Sequence, residues 1–146
     1  MSLTTERLVP AAAGTRAARM RGPLLAAGGV AATTLALRLR DPHVSHSWGV
    51  CPLYLATGLY CPGCGSLRAV NDLTHGHVAA AASSNLLLVA LIPVVGLLFA
   101  RWSLASWQGH DAHLVPPVPR ALTVALLVLV TVFVVARNLP GSWLAP

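Results

Sequence analysis

The chain has 146 residues, room for one domain, and carries ten arginines, no lysine and four acids, for a net charge of +6. Its 55% apolar and 10% charged content lies far from the roughly 25% charged residues of soluble domains, which excludes water as the main solvent for most of the chain. The arginines stand at the ends of apolar runs, where membrane proteins place them, so the basic balance points to a lipid bilayer and away from nucleic acid.

Residues 1–22 are small and polar, with Arg7, Arg16, Arg19 and Arg21 and no sustained apolar period; they read as a disordered or interfacial basic arm. Residues 23–146 read as a single all-α membrane domain with about three transmembrane helices. The first span is predicted over about residues 22–39. Leu24 to Leu37 is free of charge, and the flanking arginines can snorkel toward the headgroups. Gly28 and Ala32, with Ala27 and Ala31 one step back, give small residues four apart, a spacing that lets helices approach closely but also arises in any alanine-rich stretch. A basic start and a short apolar core have the form of a secretory signal, yet Leu37-Arg38-Leu39-Arg40 offers no small-residue cleavage site, so an uncleaved anchor is expected.

A cysteine-rich loop over residues 43–66 follows, then a short amphipathic helix from Ser66 to Leu73. Leu67, Val70 and Leu73 form its apolar face, expected against the membrane or the bundle, and Gly76 ends it. Arg68 and Asp72, four apart, are placed to pair. The second span is predicted over about residues 80–101, closed by Arg101-Trp102 as an interface anchor. Pro93 gives no amide hydrogen to Val89, so a kink is expected between Pro93 and Gly96. The third span, over about residues 119–137, is rich in valine and leucine, with Arg120 and Arg137 at its borders and Trp143 beyond. Pro116, Pro117 and Pro119 lead into it, since an early helical position needs no amide donor.

With the amino terminus cytoplasmic, Arg7, Arg16, Arg19, Arg21, Arg101 and Arg120 lie inside, against Arg38, Arg40, Arg68 and Arg137 outside. The expected location is the cell membrane, multi-pass, with the cysteine loop on the extracytoplasmic side, where disulfides persist.

All three cysteines of the chain, Cys51, Cys61 and Cys64, sit in that loop. In Cys61-Pro62-Gly63-Cys64-Gly65 two thiols lie three positions apart, with Pro62 restricting the turn and Gly63 and Gly65 free to adopt positive φ. Such a knuckle can direct two sulfurs at one zinc ion, with Cys51 as a third ligand and His43, His46, His75 or His77 as a fourth. One knuckle is fewer than the two pairs of a usual four-ligand site. A Cys-Pro-x-Cys pair before a helix also suits thiol–disulfide chemistry, although the βαβ setting of thioredoxin-like proteins is absent. A third reading is structural, with one disulfide or three buried thiols. Arg68 either reaches the knuckle, holds an anionic headgroup or is simply solvated at the interface. Asn85, entering an apolar span, can hydrogen-bond across helices. His110 and His113, flanking Asp111, lack a fourth donor and read as a solvated loop.

Cys51-Pro52, Thr57-Gly58, Cys61-Pro62-Gly63-Cys64-Gly65, Arg68-Ala69, Gly76 and Asn85 together resemble the bacterial membrane family called domain of unknown function 2752. Its members show a CP, a TG, then CPGCG followed by TRA, a GD-type turn and an asparagine opening an apolar helix. The likeness runs from about Cys51 to Arg101. Leu67 departs from it by replacing the threonine before Arg68, His77 by replacing an acid, and Leu86 by replacing a common proline. The resemblance implies a small helical membrane protein whose signature residues are Cys51, Cys61, Cys64 and Arg68, and implies no established activity.

Without an acid, base and nucleophile constellation, the expected function is that of a non-enzymatic accessory, assembly or interaction subunit, associating with itself or with other membrane subunits. The alternatives are a membrane thiol–disulfide or metal-handling protein and, second, a transporter or channel subunit, which spans this poor in polar groups would build only by oligomerising.

Overall fold

The computed structural model describes residues 14–44, 47–110 and 118–145. Most of the basic arm and the residues His46, Asp111, His113, Pro116 and Pro117 lie outside the described residues. Among the described residues, five helices follow in chain order: α1 (Arg16–Leu39), α2 (Pro52–Thr57), α3 (Ser66–Thr74), α4 (Val78–Gln108) and α5 (Arg120–Arg137). The described residues contain no strand, and the all-α expectation holds. Three helices, α1, α4 and α5, are long and apolar enough to cross a membrane. The 18 residues of α5 rise about 27 Å, just matching a hydrocarbon core of about 30 Å.

Helix α1 begins at Arg16, earlier than the expected residue 22. The Thr15 hydroxyl accepts the amide of Ala18 at 3.3 Å and starts the helix locally. Contacts with the end of α4 hold the added turns: Arg16 lies 5.2 Å from the Trp107 ring, and Arg19 donates through Nε to the Ser106 carbonyl at 3.1 Å. These contacts join the start of α1 to the end of α4, so the two helices run antiparallel. They pack tightly at Gly22, where an added Cβ would meet the Trp102 ring at 3.1 Å. Among the described residues, nothing lies within 4 Å of such an atom at Gly28. A small residue that lets these helices meet is therefore Gly22, six residues before Gly28 of the face expected from sequence.

The break in α4 also differs from expectation. Pro93 keeps helical backbone angles, and the residue that leaves the helix is Asn85, at φ −159° and ψ 92°. One turn or more, from Val78 to Ser84, thus precedes the break, and the apolar run from Leu86 follows it.

Helix α3 turns its polar side toward the bundle, which leaves the membrane, of the two surroundings expected for its apolar face, to Leu67. Ala69, Asn71 and Asp72 are buried, while Leu67 is 41% exposed. The reason is hydrogen bonding at the ends of neighbouring helices. Asn71 donates through Nδ2 to the Leu37 carbonyl at 2.7 Å, one of the last carbonyls of α1, which has no partner within its own helix. The Asp72 carboxylate accepts the Ser84 hydroxyl at 3.2 Å and faces His43 Nε2 at 3.5 Å, so the expected pair with Arg68 does not form. Gly76, at φ +79°, sits just past the helix end, as its position implied.

Helix α5 joins the rest through its last turns. Phe133 and Arg137 are buried, whereas Leu122, Leu126 and Leu129 are exposed.

The Gly22 contact makes a direct prediction. Gly22→Leu should lower the thermal midpoint in mild detergent by an amount equivalent to about 1–3 kcal/mol, the usual cost of overpacking, while Gly28→Leu should leave it unchanged.

Candidate metal centre

Cys51 precedes α2, and Pro52 opens that helix at a position where a missing amide costs nothing. Gly58, in the left-handed region at φ +70°, ends α2 and returns the chain toward Cys61. Stacking of Tyr54 on Tyr60, with ring centroids 4.8 Å apart, ties the outgoing and returning segments together. The knuckle then closes on itself: the Cys64 amide donates to the Cys61 carbonyl and the Ser66 amide to the Gly63 carbonyl, each at 3.1 Å. Gly65, at φ +79°, turns the chain into α3.

These turns bring the three sulfurs together. Cys61 Sγ lies 3.1 Å from Cys64 Sγ and 3.5 Å from Cys51 Sγ, and all three fall within 4.8 Å of one another. No other histidine, cysteine or acid among the described residues joins the group. His43 instead holds Asp41 through Nδ1 at 2.8 Å and faces Asp72. His75 Nδ1 contacts the Asn71 carbonyl at 2.9 Å, and its ring lies 6.2 Å from that of His77. His46 is outside the described residues. The thiols and Arg68 line one cavity of about 620 Å³, with Trp48, Tyr54 and Tyr60 on its wall.

Behind the knuckle, side chains from two membrane-crossing helices grip its backbone. Asn85, 1% exposed, points Nδ2 at the carbonyls of Pro62 and Cys64, 2.9 and 3.1 Å away, and at the Ser66 hydroxyl, 3.0 Å away. Its Oδ1 accepts the Leu88 amide at 2.9 Å, so the same side chain caps the apolar run of α4. Arg137, fully buried, donates through Nη1 to the Cys61 carbonyl and through Nη2 to the Cys64 carbonyl, both at 3.0 Å. Its guanidinium also lies 4.9 Å from the Phe133 ring. Asn138 clasps Tyr60 in both directions, accepting its amide at 2.8 Å and donating to its carbonyl at 3.0 Å.

Of these three, only Asn85 was a candidate from sequence. Arg137 was read as a border arginine and Asn138 was not singled out. A charge at the end of an apolar run has the same appearance whether it snorkels or turns inward, and no spacing motif links residues 61 and 137.

The three thiols differ electrostatically. Cys51 is drawn down to about 7, first by the Tyr54 backbone amide and then by the Cys61 and Cys64 thiols. Cys64 is pushed up to about 12, first by burial and then by its hydrogen bonds with the other two. Of these two, Cys51 therefore gives up its proton first.

Two measurements follow. In the reduced, metal-free protein, Cys51 should be alkylated before Cys64, with a rate that rises with pH and reaches half its plateau near pH 7, read by mass spectrometry; Cys64 should stay slow to react through pH 10. Asn85→Leu keeps volume but strips the knuckle carbonyls of a buried donor, and should destabilise the protein by about 1–3 kcal/mol for each group left unpaired, read as a lowered thermal midpoint in detergent.

No curated protein and no solved structure matches the chain. Residues 51–99, from the first cysteine through the knuckle, α3 and most of α4, match the family described as Protein of unknown function (DUF2752), the same family that the cysteine pattern resembles.

Proposed function

We propose that this chain is a multi-pass protein of the cell membrane whose extracytoplasmic knuckle binds one thiophilic metal ion, zinc foremost, through Cys51, Cys61 and Cys64. The observation that carries this reading is the convergence of three sulfurs. Tetrahedral zinc with bonds of about 2.3 Å needs sulfurs about 3.8 Å apart, whereas a disulfide needs about 2.05 Å. The separations of 3.1 and 3.5 Å lie nearer the former, and a disulfide would leave one of the three cysteines over.

Charge supports the same reading. A divalent ion with three thiolates carries one net negative charge, and the buried Arg137 guanidinium, held on the knuckle carbonyls, supplies its counter-charge. With Arg137 turned inward, the topological comparison becomes Arg7, Arg16, Arg19, Arg21, Arg101 and Arg120 against Arg38, Arg40 and Arg68. That asymmetry supports a cytoplasmic amino terminus. The protein then acts as a non-enzymatic accessory or assembly component. The metal fixes the outer loop, and the exposed apolar flank of α5 faces lipid or another membrane subunit.

Metal analysis of the protein purified in mild detergent should find about one zinc per chain, and the Cys61→Ser, Cys64→Ser double variant should have lost it. A metal-free wild-type preparation would refute the proposal. Thiol–disulfide exchange is the second reading, favoured by the short Cys61–Cys64 separation of 3.1 Å. It requires that alkylation of native membranes with and without reductant reveal a reversibly oxidised pair.

A further inference from the structure

The metal reading leaves one coordination position to account for, and the inference below rests on that reading. A tetrahedral ion takes four donors, yet only three protein atoms converge among the described residues. The sulfurs are half-buried and line a cavity of about 620 Å³, a volume typical of small-molecule sites. Among the described residues, Arg68 is the single charged side chain on that lining, which includes no carboxylate. It takes part in neither ion pair of the described residues, both of which are centred on His43. Arg137 balances a metal trithiolate from behind the knuckle, so Arg68 places a surplus positive charge over the open side. The cavity wall includes Trp48 and the stacked pair Tyr54 and Tyr60, flat amphipathic side chains.

We propose that this cavity binds a small organic monoanion, whose carboxylate completes the metal's coordination shell and pairs with Arg68 while a planar body lies against the aromatic wall. Carboxylate oxygen is an ordinary donor to zinc, and an arginine fork matches its two oxygens. No bond is broken and no electron moves; the site is one of capture.

Cobalt(II), which adopts the same tetrahedral geometry and absorbs visible light, reports the open position directly. The detergent-solubilised full-length protein is loaded with cobalt(II) and titrated with benzoate, then with acetate and with neutral benzamide. Benzoate should shift the visible bands saturably, acetate more weakly for want of the aromatic body, and benzamide not at all. Arg68→Gln should still show tetrahedral cobalt bands and should weaken benzoate binding about tenfold or more, the scale of one lost charge-assisted hydrogen bond. Failure to take up cobalt would overturn the metal reading itself. Cobalt bound with bands that ignore benzoate would overturn this inference alone. Bands that ignore benzoate in the wild type but respond in His46→Ala would also overturn it, by assigning the fourth position to the chain's own histidine.

Discussion

Two side chains from opposite parts of the sequence, Asn85 and Arg137, converge on the carbonyls of Cys61, Pro62 and Cys64, and the rest of the site takes its shape from that grip. A five-residue turn rich in glycine and proline has many accessible conformations and few side chains with which to select one. Here the selection is made from outside. When the carbonyls are held on the helix side, the turn's other face, carrying the sulfurs, is presented to the cavity. The loop therefore needs no core of its own.

The energetics of the grip suit specification better than stability. Hydrogen bonds to a charged group contribute about 1.5–3 kcal/mol each, while burying a guanidinium costs several kcal/mol. Arg137 makes two such bonds at 3.0 Å and a longer one at 3.4 Å, so gain and cost are of the same order. Phe133 beneath the guanidinium adds a modest cation–π term. What the arrangement secures is a single geometry for the turn and a fixed positive charge behind three thiols. Asn85 works differently. By leaving the helix at one extended residue it frees its side chain to cap the run from Leu86 and to hold the turn at once.

Sequence patterns revealed the parts of this fold that depend on local chemistry. Charge-free runs between arginines marked the three long helices, the Cys-Pro-Gly-Cys spacing marked the turn, and Gly76 marked the end of α3. Features set by partners distant in sequence were hidden. The polar side of α3 faces inward because the Leu37 carbonyl and Ser84 hydroxyl await it, and an amphipathic pattern alone does not say which face meets the bundle and which the membrane. Pro93 carries the strongest local signal for a kink, but the departure from helical angles occurs at Asn85, where the released side chain has four polar partners. Arg137 lies beyond the matched residues 51–99, so neither motif nor family likeness draws attention to it.

The positions of these residues on their helices connect the site to the bilayer. Asn85 opens the apolar run of α4 and Arg137 closes that of α5, so both stand at the same edge of the hydrocarbon, where a polar side chain can be kept without a long desolvated path to water. The carbonyl end of α5 also carries the partial negative charge of its helix, a favourable place for a guanidinium. A knuckle anchored at two helix ends cannot move along the membrane normal unless the spans move with it. Tilt or translation of α5 relative to α4 would pull Arg137 from the Cys61 and Cys64 carbonyls while Asn85 kept its hold on Pro62, and would shear the turn that spaces the sulfurs. The turn that spaces the three thiols is thus held by side chains of both α4 and α5.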